Sequence, residues 1–93
     1  MKIRTQGDSM FPTLVDGALY EIEPLYEQTV YIGDIIVYCV DNLTICHRVI
    51  DIRRSKSRKL FIKTQGDHNP DPDPYVVTLD MIVGKINNST NVL

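Results

Sequence analysis

The chain is short of cysteine, of long apolar runs, of excess positive charge and of helical periodicity, and each shortage removes a class of function. Its two cysteines, Cys39 and Cys46, fit no metal-site spacing, and no third cysteine joins them. They fall on the two arms of an expected hairpin and read as half-buried thiols of a cytosolic protein. No apolar run approaches the roughly 20 residues that cross a bilayer, and the first six residues lack the apolar core of a secretory signal. The default compartment is therefore the cytoplasm. A formal net charge of −2 argues against a general nucleic-acid binder. At 93 residues the chain is one domain, 1–93, with a single modest core, since so short a chain buries only about 60–65% of its unfolded surface.

What is present is organised around Gly7-Asp8-Ser9-Met10-Phe11-Pro12-Thr13-Leu14. Glycine permits a sharp turn and proline stiffens its exit, so the turn can hold the Ser9 hydroxyl outward beside backbone N–H groups. A nucleophilic serine needs that setting, because its attack builds charge on an oxygen that nearby donors must stabilise. Asp8, Met10 and Pro12 are then the turn and oxyanion support. The plainer alternative is a serine that merely serves a turn or caps a short helical stretch.

The rest reads as strands. Residues 1–6 form a short edge strand and 18–23 a half-buried one that ends at Pro24. Residues 25–32 read as a loop with extended pieces, closed by Gly33-Asp34. Ile35-Ile36-Val37-Tyr38-Cys39-Val40 is β-branched and apolar enough for a central strand covered on both faces. After a turn at Asp41-Asn42-Leu43, residues 44–52 return as a long strand. Period two puts Ile45, His47 and Val49 on one face and Cys46, Arg48, Ile50 and Ile52 on the other. Arg53-Arg54-Ser55-Lys56-Ser57-Arg58-Lys59, five basic residues in seven, reads as a solvated hairpin tip, with an anionic-lipid or nucleic-acid contact as the alternative. Residues 60–63 form the next strand. The stretch 64–74 alternates proline with aspartate and cannot be regular structure. Residues 75–79 read as a strand, 82–86 as one that closes the sheet, and 87–93 as a frayed polar tail. Thr-Gln-Gly-Asp occurs at 5–8 and again at 64–67, which marks two strand ends turning into functional loops at one rim. The fold class expected is all-β, a small, strongly bent antiparallel sheet or partly open barrel.

Ser9, His47 and the acidic loop Asp67 to Asp73 stand out against this apolar sheet. A hydroxyl nucleophile needs a base, histidine titrates near neutrality, and a carboxylate beside it fixes the tautomer. Lys63, close to the acidic loop, is the rival base.

Gly7-Asp8-Ser9-Met10-x-Pro12-Thr13-Leu14, Gly33-Asp34-Ile35-Ile36, His47-Arg48-Val49-Ile50, Gly66-Asp67-x-Asn69 and Val83-Gly84-Lys85-Ile86 run in the order seen in signal peptidases and the self-cleaving repressor peptidases, which the chain resembles from residue 7 to 86. The resemblance implies a largely β fold and a serine endopeptidase activity on a peptide or pre-protein, without cofactor or metal. It implies Ser9 as nucleophile. Most bacterial signal peptidases and the repressors carry a lysine base where this chain has His47, as do the signal peptidases of the endoplasmic reticulum and archaea and their sporulation-type relatives. That branch carries two aspartates at the positions of Asp67 and Asp73. Asp73 is then the orienting acid and Asp67 a structural or supporting one. The chain departs from the pattern in lacking a membrane anchor, in having eight residues before the serine, and in His68 where the branch usually has asparagine. The expectation is a soluble, minimal relative with a peptide or protein substrate and no nucleic-acid partner. Phe11 and Leu14 are the alternatives for a peripheral, non-spanning membrane contact, against simple turn packing. The second function class weighed is an inactive module on the same scaffold that holds an extended peptide.

Overall fold

The computed structural model describes residues 1–26 and 29–91, and side chains as far as 86. It is all-β, with six strands in one antiparallel sheet: β1 (Lys2–Arg4), β2 (Leu19–Glu23), β3 (Ile35–Val40), β4 (Leu43–Arg54), β5 (Leu60–Gln65) and β6 (Ile82–Asn91). Their spatial order is β1-β2-β6-β3-β4-β5, so the sheet stays open with β1 and β5 at its edges. Of the two forms expected, the open sheet is the one found. Register shifts at Tyr20/Ile22, Val37/Tyr38 and Val49/Asp51 bend its strands.

β3 lies between β6 and β4, and its first four residues are buried. Ile35 and Val37 pack on one face with Met10, Leu14, Tyr20 and Ile86. Ile36 and Tyr38 pack on the other with Val49, Ile62 and Val77. Each such side chain, fully buried, contributes about 1.5–3 kcal/mol. Asp41 and Asn42 both take positive φ, which a two-residue turn joining twisted strands requires.

Five features depart from the sequence reading. Ile52 joins the face of Ile45 and Val49, because the Val49/Asp51 shift resets the period-two pattern. Residues 75–79 are not a strand: Val77 makes one bridge to Ile62, and a single 3-10 turn follows at Leu79–Met81. The strand expected to close the sheet, β6, instead slots between β2 and β3. It runs to Asn91, so most of the expected tail is strand, and 92–93 lie outside the described residues. No strand occurs among the described residues of 25–32, of which 27 and 28 are not described. Among the described residues, no helix is long and apolar enough to cross a membrane.

Candidate active site

Ser9 sits in the turn that leaves β1. Met10 and Leu14 anchor that turn in the core, and Leu14 N–H donates to Met10 O. Gly7 N–H donates to Asp16 Oδ1 at 2.7 Å, with Gly7 at a φ of +82° that its lack of a Cβ permits. Asp8 contributes its carbonyl, which accepts from Phe11 N–H at 3.0 Å. Its side chain and Pro12 are exposed. Leu14 is thus turn packing, whereas Phe11 is half exposed and meets the His68 ring edge-on.

His47 stands on β4, opposite Ile36 of β3, and is buried. Asp73 is brought in by the proline-rich loop, which runs along the outer edge of β5. Asp73 N–H donates to Thr64 O, and Val77 exchanges two backbone bonds with Ile62. The three side chains then form a line. His47 Nδ1 lies 2.6 Å from Asp73 Oδ2, and His47 Nε2 lies 3.1 Å from Ser9 Oγ. An ionised carboxylate only accepts, so Nδ1 carries the proton and Nε2 is left to accept from the serine hydroxyl. Asp73 Oδ2 also accepts from the buried hydroxyls of Thr64 and Tyr38. Sequence reasoning missed both, because each reads as an ordinary strand residue.

Asp67 has a different set of partners. Arg48 Nε and Nη2 donate to its two oxygens at 2.8 and 2.7 Å, and Thr13 Oγ1 donates at 2.7 Å. The guanidinium fork, with the Thr13 hydroxyl, holds this carboxyl below the usual carboxylate range. Asp67 N–H meets Met10 Sδ, and His68 N–H donates to Ser9 O at 2.8 Å, so the two Thr-Gln-Gly-Asp copies meet at one rim. A Cβ on Gly66 would fall 2.7 Å from Ser9 O, so only glycine allows this approach. Lys63, the rival base, donates to the carbonyls of Asp73 and Tyr75 and clasps the loop instead. Among the described residues the backbone N–H groups of Ser9 and Met10 have no hydrogen-bond partner.

A groove of about 570 Å³ opens beside Ser9 and His47, walled by Ile3 and Arg4 on one side and by Leu43, Ile45 and Cys46 on the other. Burial pushes the Cys46 thiol up to about 11, so it is a neutral wall. Cys39 is exposed, and both thiols are free. The basic segment 53–59 spans the end of β4 and the β4–β5 hairpin tip, where Arg53 pairs with Asp51 and Lys59 lies over the Phe61 ring. Among the described residues no cluster of His, Cys, Asp or Glu could hold a metal ion. Neither a scan against protein-family models nor a search of curated proteins finds a match.

Proposed function

We propose that this chain is a serine endopeptidase of the signal-peptidase kind, with Ser9 as nucleophile, His47 as general base and Asp73 as the acid that orients it. The observation that carries this is the Ser9–His47–Asp73 line, three residues from separate stretches of chain, each within hydrogen-bonding distance of the next. His47 Nε2 takes the Ser9 Oγ proton as Oγ bonds to the substrate carbonyl carbon. The same proton passes to the leaving amine as the C–N bond breaks, and water then releases the acyl group by the reverse use of His47. The unpartnered N–H groups of Ser9 and Met10 are the donors proposed for the developing oxyanion.

The groove suits an extended peptide. Among the described residues β5 pairs with β4 only from Arg48 onward and β1 pairs only with β2, so both walls present backbone edges that a substrate strand can join.

The test is covalent labelling by an alkyl fluorophosphonate, read by intact mass and peptide mapping. Label is expected on Ser9, with loss in Ser9→Ala and a fall on the order of 10⁴-fold or more in His47→Ala. A folded chain that takes no label would leave only the inactive peptide-binding scaffold. Loss of labelling in Lys63→Ala with retention in His47→Ala would reassign the base.

A further inference from the structure

We infer that Thr64 and Tyr38 are positioning residues of this site, acting through Asp73 by a one-way chain of hydroxyl donors; the inference rests on the peptidase reading above. Asp73 Oδ2 has three donors within reach: His47 Nδ1 at 2.6 Å, Thr64 Oγ1 at 2.6 Å and the Tyr38 hydroxyl at 3.2 Å. The Tyr38 oxygen also lies 3.0 Å from Thr64 Oγ1 and 2.8 Å from the Tyr75 hydroxyl. The carboxylate fixes the direction of the chain, since it can only accept. Thr64 therefore spends its one proton on Oδ2 and Tyr38 turns its proton toward Oδ2 and Thr64, while the Tyr75 hydroxyl lies against Tyr38 and the same carboxyl.

Tyr38 and Thr64 are both 0% exposed. They come from β3 and β5, the strands on either side of β4, so the network brackets the strand that carries His47. A strand that only packed would carry phenylalanine and valine here, because a buried hydroxyl costs free energy unless it is bonded. These two are bonded, and to the one oxygen that holds the imidazole. Burial keeps the Tyr38 phenol protonated well above its ordinary range, so it remains a donor. The groups facing this carboxyl are His47 from β4, Tyr38 from β3, Thr64 from β5 and Tyr75 from the loop. Lys63 holds the loop carbonyls behind it, and Asp67 is the further charge acting near His47.

Hydroxyl dipoles aimed at Oδ2 offset part of its charge. Removing one leaves the field at the imidazole more negative and favours the imidazolium, so the acid limb of the rate moves to higher pH. The experiment measures the fluorophosphonate labelling rate of the full chain between about pH 5 and 9. Thr64→Val is expected to slow labelling on the order of tenfold and to move the acid limb upward, with Thr64→Ser restoring most of the rate. Tyr38→Phe is expected to move the limb the same way by less, and carries the test alone if Thr64→Val does not fold. A folded Thr64→Val that labels at the wild-type rate overturns the inference. So does one that is slower with an unmoved limb, or one that Thr64→Ser does not rescue. The Nδ1 proton resonance of His47 gives a readout that needs no labelling: it is expected to shift in Thr64→Val, and an unchanged resonance overturns the inference. A wild-type chain that takes no label while this resonance shifts would sink the peptidase reading and leave the network standing as structure.

Discussion

Asp67 and Asp73 are the same side chain six positions apart, and their surroundings divide the work between them. Asp73 is buried among uncharged donors and one imidazole; Asp67 sits against a guanidinium at the rim. The depressed pKa of Asp67 makes a signed statement about stability. Its carboxylate stabilises the fold fully above the ordinary unfolded value near pH 4, and the contribution fades as pH falls through the lower folded value. Asp67→Asn should therefore lower the melting temperature at neutral pH, by about 1–2 kcal/mol in stability for a charge-assisted fork of this exposure. The gap to wild type should narrow as pH drops below about 4. Melting curves at neutral and acid pH check this, and a gap that stays constant or widens in acid would mean the charge is not what matters. The sequence pointed to Ser9 through its Gly-Asp turn, to His47 as a polar residue inside an apolar strand, and to the acidic loop 67–73 as aspartates among prolines; within that loop, Asp67 and Asp73 were singled out only by the resemblance to signal peptidases. Thr64 and Tyr38 were not visible. A threonine and a tyrosine are ordinary strand residues, and what sets these two apart is a carboxyl that only folding brings between them.

At the scale of elements, β3, β4 and β5 were legible because β-branched runs between turn residues leave little other choice. Residues 75–79 share that composition, yet among the described residues their backbone bridges to β5 at Val77 alone, since Pro74 precedes them and a 3-10 turn follows. The place of β6 was illegible for a different reason. Hydrophobic pattern fixes that a strand exists, and pairing partners depend on surfaces far away in the chain. The repeated Thr-Gln-Gly-Asp, by contrast, did mark one rim: the loop after β5 lies directly on the serine turn. That contact needs Gly66. Gly66→Ala would drive a methyl group against the Ser9 carbonyl and the Asn69 side chain, and backbone on one side cannot give way as a flexible side chain can. The expected result is a loss of about 1–3 kcal/mol in thermal stability with slower Ser9 labelling. Wild-type values for both would show that the two loops are free to separate.

For the whole molecule, the site exists only while the sheet is assembled. Ser9 depends on Met10 and Leu14 in one core cluster, and His47 depends on the β3–β4 pairing. Asp73 depends on a loop that bonds to the edge of β5 and packs Val77 into the other cluster. No one of these supports can be removed without opening a face of the sheet, and small single domains of this kind unfold as a unit. Labelling of Ser9 in increasing urea should therefore disappear along the same curve as the far-ultraviolet circular dichroism, with one midpoint and a slope of about 1 kcal/mol per molar, as the small surface buried by such a chain dictates. Reactivity that faded well before the dichroism would show the serine turn opening as a separate, weaker unit. The Gly66 contact and the Thr13–Asp67–Arg48 bridge would then be too weak to hold it. Since that bridge joins the turn to β4 directly, the Asp67→Asn chain is where such early loss should first appear.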